Sequence, residues 1–293
     1  MQAIPAILAR TAVFHQPVLS DESFFPLRDF IYERTGIYFH EKKKYFLEGR
    51  LGKRLQFLNL TNFDDYIRYV KYSPSRFDEQ RFLYEAITIN ETSFFRNPAQ
   101  FEAFERSVVD DIIKSRQSNG RALIRIWSAG CSTGEEPYTL AMVYLEKLKP
   151  RFPELQIEIV GTDISECVLE TAHKGVFRES SVRNMPQEYL NKYMTYNNDR
   201  LCLSDRAKQY VKFKHLNLYD REQVRLMRSF DVIFCCNVLI YFDMKSKTRV
   251  ISDLYNSLSR GGYLFIGYAE ALHGVSSAFK VINFPKTVTY KKE

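Results

Sequence analysis

The chain has 293 residues, a length typical of two domains, because a single hydrophobic core usually stops growing before this size. Hydrophobic residues make up 45% of the sequence and charged residues 26%, which excludes collagen-like, low-complexity and disordered proteins. The formal net charge of +7 favours an anionic partner, and nucleic acid, a membrane surface and an acidic protein all satisfy that condition.

The sequence shows no signal of a membrane, secreted or metal-binding protein. Its longest apolar stretch, residues 232–242, has about half the length of a membrane-spanning helix and contains Asn237. The apolar run near the N-terminus follows no basic region and is interrupted by Arg10, unlike a secretory signal. The five cysteines and five histidines show no CxxC, HExxH or His-x-His spacing, so we expect free thiols and no metal. We therefore predict a cytoplasmic protein.

The first 89 residues contain an extension and a helical region. Residues 1–20 follow no clear period and are interpreted as an N-terminal extension. From 21 to 89, apolar residues recur at three- and four-residue spacing, which is typical of amphipathic helices. Ser20 and Asn62 supply helix-start signals, and Ser73-Pro74 breaks the pattern. A small all-α domain is predicted at 21–89.

The remainder, 90–293, has the pattern of a parallel sheet covered on both faces. Its continuous apolar runs are separated by helical stretches, and the expected strands lie at 123–127, 157–160, 211–213, 232–238 and 263–266. At the C-terminus, two further runs flank Pro285-Lys286 and predict an antiparallel hairpin that closes the sheet. A second hairpin, around Asn198, is expected as an insert at about 190–214.

The first parallel strand leads into a turn of small residues, 128–134, which opens into a helix at Glu135 and Glu136. In nucleotide-binding parallel sheets a cofactor lies at this turn, and an acidic residue ending a following strand binds ribose; Asp163 has that position. The turn is not G-x-G-x-x-G, and two glutamates would repel a pyrophosphate. A positively charged cofactor without phosphate, such as S-adenosylmethionine, suits the turn better. A capped helix alone would explain the glutamates but not the small residues.

Five motifs, in this order, resemble those of the CheR family of chemotaxis receptor methyltransferases. They are NETSFFR at 90–96, STGEEPY at 132–138, GTDI at 161–164, LNL at 216–218 and NVLIYF at 237–242. The resemblance covers about residues 21–290. It implies an α/β fold: a Rossmann-like S-adenosylmethionine-dependent methyltransferase sheet, a small N-terminal all-α domain before it, and an inserted β-hairpin subdomain.

The resemblance implies a protein-glutamate O-methyltransferase that uses S-adenosylmethionine, releases S-adenosylhomocysteine and needs no metal. Asp163 would accept hydrogen bonds from the ribose, Asn217 would lie beside the adenine, and Asn237 would face the methionine portion. Of the two adjacent glutamates, the second is preferred as the cofactor ligand. By motif position, the implied cofactor-binding residues are Asn90, Thr92, Arg96, Glu136, Asp163, Asn217, Leu218, Asn237 and Val238.

Arg96 and Tyr241 stand at the family positions near the reacting groups and are the expected catalytic residues. A solvated glutamate has a pKa near 4.3 and is already anionic at neutral pH, so its methylation needs no general base. A guanidinium and a phenol can orient such a carboxylate by hydrogen bonds. Without the surrounding motif, Tyr241 would be interpreted as a packing residue at the end of a strand.

The segment 42–54 holds six basic residues and one acid, Glu48. On a helix its leucines form one stripe, with Lys42, Arg50 and Lys53 on the flank. A solvated face is the plainer interpretation. Because receptor methylation helices are acidic in this family, we expect Arg50 and Lys53 to form a docking surface for substrate.

The expected partners are methyl-accepting chemoreceptors. We expect contact with the membrane only through these receptors, no nucleic-acid partner, and a monomer. The short loop at 197–199 departs from family members that tether to a receptor's C-terminal peptide, so tethered docking stays open.

Two other functions also stay open from the sequence. A methyltransferase acting on nucleic acid or a small molecule would share the sheet and the cofactor, but would more often carry an Asn-Pro-Pro-Tyr-type strand end. A cofactor-binding signalling module without turnover would keep the pocket and lose the residues at the reacting site. Arg96 and Tyr241 are both present here.

Overall fold

The computed structural model of the protein describes residues 17–116 and 123–293. The chain forms two compact units. The helical unit contains the described residues up to Arg28 together with Phe39–Ala86, and the sheet unit contains Asp29–Tyr38 and Ile87–Glu293. Most of the predicted extension, residues 1–16, lies outside the described ranges.

The described residues of the helical unit form four α-helices, which confirms the predicted all-α fold of this region. They are α1 (Asp21–Thr35), whose C-terminal part belongs to the sheet unit, α2 (Lys44–Phe57), α3 (Phe63–Tyr72) and α4 (Arg76–Ile87). The side chain of Asn62 accepts a hydrogen bond from the Asp65 N–H at 2.9 Å and so caps α3. Leu47, Leu51 and Leu55 are fully buried, so the apolar stripe of α2 packs into the core.

The described residues of the sheet unit form ten strands. They are β1 (Leu123–Ala129), β2 (Gln156–Asp163), β3 (Val176–Phe177), β4 (Met194–Asn197), β5 (Arg200–Leu203), β6 (Val211–His215), β7 (Phe230–Cys235), β8 (Leu258–Ile266), β9 (Phe279–Phe284) and β10 (Thr287–Lys292). Seven of them form the main sheet, in the order β6-β2-β1-β7-β8-β10-β9. The first five of this order run parallel, and β10 pairs antiparallel with both β8 and β9. The predicted parallel sheet with a closing hairpin is therefore confirmed.

Helices cover the main sheet, which is why the central strand β7 is buried along its whole length. The helices of this unit are α5 (Pro98–Ala103), α6 (Val109–Ser115), α7 (Glu135–Val143), α8 (Lys149–Arg151), α9 (Glu166–Lys174), α10 (Gln187–Tyr193), α11 (Asp205–Lys208), α12 (Arg221–Arg225) and α13 (Met244–Ser257). Within the core, the rings of Phe234 and Phe265 stack with their centroids 4.5 Å apart. In the described ranges no helix is both long and apolar enough to cross a membrane.

A second, small sheet has the order β3-β5-β4 with antiparallel pairing throughout. Its β4 and β5 are the predicted hairpin, and the turn residues Asn198 and Asp199 have φ values of 46° and 58°. Two successive left-handed residues match the right-handed twist of the flanking strands. The strand β3 was not predicted, because two residues carry no periodic signal.

The expected strand at 232–238 is wrong at its C-terminal end. The strand stops at Cys235, and Asn237 adopts a left-handed conformation with φ 62°. The apolar residues Val238, Leu239 and Ile240 continue the sequence pattern but lie in a turn. This turn brings the strand-end motif to the edge of the sheet, where the candidate site lies.

Candidate active site

A cavity of about 270 Å³ opens in the sheet unit, beyond the carboxyl ends of β1, β2, β6 and β7. Open parallel sheets bind ligands at this edge, where the strand order reverses. The cavity brings together all nine residues expected to bind the cofactor, and Tyr241. Its lining includes Asn90, Thr92, Arg96, Glu136, Asp163, Asn217, Leu218, Asn237, Val238 and Tyr241.

The turn after β1 forms the floor of this cavity. The N–H groups of Gly130 and Cys131 both donate to the carbonyl oxygen of Thr162, at 2.8 and 2.9 Å, which fixes the turn to the end of β2. Gly130 has φ 76°, and a Cβ placed on it would lie 2.5 Å from Cγ2 of Val238. Only glycine therefore allows the turn and the strand-end motif to approach this closely.

Asp163 ends β2 and is held by backbone donors. Its Oδ2 accepts from the N–H of Ser132 at 2.9 Å, and its Oδ1 accepts from the N–H of Ser165 at 3.0 Å. Burial raises the pKa of Asp163, while these backbone donors act to lower it. A carboxylate has about four acceptor positions, so this side chain retains capacity for hydroxyl donors in the cavity.

The two adjacent glutamates of α7 have different surroundings. Oε1 of Glu136 accepts from the Ser128 hydroxyl at 2.7 Å, and the side chain lines the cavity. Glu135 is not among the cavity-lining residues, and its Oε2 accepts from the Thr133 hydroxyl at 2.6 Å. Burial raises the pKa of Glu136 to about 7. A positive charge brought into the cavity would favour the ionised form of this carboxyl group.

Hydrogen bonds attach the segment that carries Asn90 and Thr92 to the turn after β1 and to α7. The hydroxyl of Ser132 donates to the carbonyl oxygen of Asn90 at 3.0 Å, and the Phe95 N–H donates to the hydroxyl of Thr139 at 3.2 Å. Phe95 has φ 53°, a left-handed conformation that is uncommon outside glycine. These contacts hold the segment against the cavity.

Arg96 and Tyr241 line the same cavity and are both anchored to backbone carbonyls. The Arg96 guanidinium donates to the carbonyl oxygen of Glu91 at 2.9 Å, and the Tyr241 hydroxyl donates to that of Ile89 at 3.2 Å. Burial raises the pKa of Tyr241, whereas the charge of Arg96 acts to lower it. The phenol is therefore protonated at neutral pH, and its single O–H is donated to the carbonyl oxygen of Ile89 in the protein without ligand.

Asn217 follows β6, and its amide is oriented by the protein itself. Its Nδ2 donates to the carbonyl oxygen of Arg34 at 2.7 Å, and its Oδ1 accepts from the Tyr219 N–H at 2.9 Å. The next residue, Leu218, is buried at the cavity. The amide was expected to need partners, and backbone groups supply two of them.

Thr35 and Ile37 line the cavity as well, and sequence reasoning missed both. A short antiparallel pairing holds this segment beside the cavity. In it, Ile37 bridges to Phe242, and the Tyr38 N–H donates to the carbonyl oxygen of Tyr241 at 3.0 Å. One sequence signal was available: Gly36, with φ 71°, ends α1 as glycines commonly do. The helical pattern over 21–89 concealed this short extended segment.

The residues expected to dock substrate, Arg50 and Lys53, belong to the helical unit and do not line the cavity. Both are exposed on α2. The expected alignment with Lys42 on one helix is wrong, because Lys42 lies in a separate 3₁₀ turn, Glu41–Lys43, before α2 begins. Of the six basic residues at 42–54, Arg54 is bound by Glu79 at 2.6 Å and is not a free surface charge.

Within residues 17–116 and 123–293, no group of three or more His, Cys, Asp or Glu side chains could hold a metal ion. All five cysteines are free thiols. Cys131 and Cys236 line the cavity, and burial raises the pKa of both thiols well above the usual value.

Comparison with known proteins assigns the family. The model of the CheR methyltransferase SAM binding domain matches residues 90–288, and that of the CheR methyltransferase all-alpha domain matches residues 22–88. Chemotaxis protein methyltransferase 2 of Vibrio cholerae is 39% identical over 276 residues, which cover 94% of this chain and 94% of the relative. The chemotaxis protein methyltransferase of Borreliella burgdorferi is 34% identical and covers 89% of this chain and 91% of its own. The chain therefore belongs to the CheR methyltransferase family, and its cofactor is S-adenosylmethionine.

Proposed function

We propose that the protein transfers the methyl group of S-adenosylmethionine to glutamate side chains on chemoreceptor cytoplasmic helices, forming glutamyl methyl esters. The family is one of methyltransferases, and the relatives are named chemotaxis protein methyltransferases, so methyl transfer serves chemotaxis. Glutamate as the acceptor, chemoreceptors as the substrate and the roles of individual residues are the parts that we add.

The observation that carries the proposal is the pairing of two kinds of polar group in one cavity. Two carboxylates, Asp163 and Glu136, line it near the ends of β1 and β2, and a guanidinium and a phenol, Arg96 and Tyr241, line it as well. Carboxylates suit ribose hydroxyls and a positively charged methionine portion, whereas the guanidinium and phenol suit an anionic acceptor. The donor set thus fits S-adenosylmethionine together with a carboxylate substrate.

When bound, S-adenosylmethionine supplies an electrophilic methyl group on a sulfonium. In our proposal Asp163 binds the ribose, Asn217 and Leu218 border the adenine, and Asn237 with Glu136 borders the methionine portion. Asn90, Thr92, Arg96 and Val238 complete the contacts. Glu136 is then ionised, because a neighbouring positive charge lowers its pKa.

The acceptor glutamate needs orientation rather than activation, because its carboxylate is already ionised at neutral pH. Arg96 would align this carboxylate with its remaining N–H donors, and Tyr241 would do so with its O–H once that hydrogen turns away from the carbonyl oxygen of Ile89. Arg96 must not hold the acceptor too tightly, since an interaction equally strong in the ground state would not accelerate the reaction. The hydrogen bond of Arg96 to the carbonyl oxygen of Glu91 occupies part of its donor capacity.

Docking of the receptor is proposed to use the exposed cations of α2. Arg50 and Lys53 are exposed, and the Arg50 guanidinium lies 5.1 Å from the centre of the Phe46 ring, which restricts its range of positions. An acidic helix would be attracted to such a face over several ångströms, raising the rate of encounter. A helix face that is exposed to solvent and binds nothing would also carry such charges, so docking by Arg50 and Lys53 is tested separately.

The direct test is to incubate the protein with methyl-labelled S-adenosylmethionine and membranes that contain chemoreceptors. The proposal predicts label on the receptor band and its release as methanol in mild alkali, because carboxyl methyl esters hydrolyse and methylated amines do not. Membranes without receptors are the matched control. Label that is stable to alkali, or that appears on nucleic acid or a small molecule, would contradict the proposal and favour a methyltransferase of another substrate.

A further inference from the structure

Glu270 is a half-buried carboxylate in the loop after β8 that does not line the cavity. Its Oε2 accepts from the N–H of Gly267 at 2.5 Å and from the N–H of Asn237 at 2.9 Å. Its Oε1 accepts from the N–H of Ile240 at 3.1 Å. Two of these three donors belong to the turn after β7, so one side chain fastens that turn to the end of the neighbouring strand.

This turn needs such a fastening. Asn237 has φ 62°, a left-handed conformation that is uncommon outside glycine, although asparagine adopts it more readily than most other residues. Three backbone N–H groups of the turn and the adjoining strand end have a carboxylate acceptor instead of a sheet partner, and charge-assisted bonds of this kind are stronger than neutral ones. Burial raises the pKa of Glu270, and the backbone N–H donors act to lower it.

The carboxylate and the turn pack closely against Gly267, which has no room for a side chain. A Cβ placed on Gly267 would lie 2.7 Å from Oε2 of Glu270 and 2.8 Å from the backbone nitrogen of Asn237. Contacts below 3.0 Å essentially never occur for real Cβ atoms, so a side chain at this position would displace the carboxylate or the turn. Gly267 is therefore part of the same contact between Glu270 and the turn.

We propose that Glu270 is a positioning residue for methyl transfer. It acts through the turn 237–240, which sets the place of Asn237 and of the Tyr241 phenol that follows it in the chain. The inference rests on the proposed roles of Asn237 and Tyr241, and it adds a residue that touches neither cofactor nor substrate. None of the five family motifs that we identified in the sequence contains it.

The test uses Glu270→Gln in the full chain, with receptor-containing membranes as substrate. The amide keeps one acceptor oxygen and turns donor hydrogens toward backbone N–H groups, so the turn should shift. We expect kcat, expressed per site counted by S-adenosylhomocysteine titration, to fall at least about tenfold, since small misplacements at a reacting centre have large effects. The KM for receptor should change less than about threefold, because the docking surface is untouched.

A double-mutant cycle with Tyr241→Phe separates positioning from a merely structural role. If Glu270 acts through the turn that carries the phenol, its substitution should cost less in the Tyr241→Phe background than in the wild type. Tyr241→Phe alone tests the proposed function, whereas Glu270→Gln alone tests this inference, so the two can fail separately.

Asp231→Asn is the matched control, because Asp231 is also a buried carboxylate that accepts a backbone N–H, that of Arg125 at 2.9 Å, at the opposite end of β7. It should lower the melting temperature and leave kcat per site unchanged. If Glu270→Gln does not fold, Gly267→Ala displaces the same carboxylate without removing it and should meet the same criteria. Wild-type kcat per site, or full additivity with Tyr241→Phe, would overturn the inference.

Discussion

The cavity of the sheet unit and the outer face of α2 in the helical unit are both charged, but they are built in opposite ways. In the cavity, Asp163 and Glu136 are held by short hydrogen bonds to backbone or side-chain donors, and burial raises their pKa values. On α2, Arg50 and Lys53 are exposed to solvent. Buried charges act at short range and resist screening by salt, whereas exposed charges act at long range and are screened. The first arrangement suits binding and chemistry, and the second suits encounter.

The largest expected effect is on turnover in the cavity. Tyr241→Phe keeps the ring and removes the hydroxyl that donates to Ile89, and we expect kcat to fall roughly ten- to a thousandfold with little change in cofactor affinity. The loss should persist at alkaline pH while the protein stays folded, because no general base is titrated. Single-turnover methylation and calorimetry with S-adenosylhomocysteine measure the two quantities. Wild-type turnover, or a parallel loss of affinity, would make Tyr241 a packing residue.

The next effect is on cofactor affinity. Asp163→Ala removes the proposed ribose acceptor and frees the backbone donors of Ser132 and Ser165, so binding of both cofactor and product should weaken by about 1–3 kcal/mol, roughly ten- to a hundredfold. Glu135→Gln is the matched control, because that carboxylate is not among the cavity-lining residues. Isothermal calorimetry with each ligand gives the comparison. Unchanged affinity in Asp163→Ala would remove this residue from the site.

A pH dependence distinguishes Glu136 from its neighbour. Because burial raises its pKa to about 7, Glu136 is mostly protonated at pH 6 in the free protein and must release that proton when it binds a cation. Affinity for S-adenosylmethionine should therefore rise as pH increases, by about tenfold between pH 6 and pH 8. Glu136→Gln should flatten this dependence and Glu135→Gln should not. A slope that survives in Glu136→Gln would assign the titration to another group.

The smallest effect concerns α2. Arg50→Glu combined with Lys53→Glu should lower kcat/KM for receptor by roughly three- to tenfold, and leave cofactor binding intact, because only encounter is affected. Wild-type activity at subsaturating receptor should also fall as salt is added. Lys149→Glu with Lys174→Glu makes the same change in charge elsewhere on the surface and should have less effect. Equal activity of the two double variants would mean that this face of α2 is exposed to solvent and does not dock the receptor.

The sequence predicted the layers and the cavity better than the turns that shape it. Continuous apolar runs indicate buried parallel strands directly. The motifs predicted that distant residues such as Asn90 and Asn237 share one site, and both line the same cavity. The end of β7 could not be predicted in this way. Val238 and Leu239 continue the apolar pattern, and only the left-handed conformation at Asn237 shows that the strand has already stopped.

Contacts between segments far apart in the chain could not be predicted from the sequence either. Ile37 reaches the cavity by bridging to Phe242, and Glu270 reaches the turn after β7 across the end of a neighbouring strand. Ile37 lies inside the region 21–89 that was interpreted as helical, and Glu270 lies in no recognised motif. Both contacts depend on the three-dimensional position of backbone groups, which the sequence does not reveal. Gly36 precedes Ile37 and Gly267 packs against Glu270, so a glycine in the sequence lies beside each of these contacts.

A crystal structure of the protein with S-adenosylhomocysteine would test the central claim most directly. The account predicts ribose hydroxyls on the Asp163 carboxylate, adenine beside Asn217 and Leu218, and the sulfur near Asn237, with Tyr241 and Arg96 facing the position of the transferred methyl group. Product bound outside this cavity, or bound with its ribose away from Asp163 and its sulfur away from Tyr241, would contradict the account.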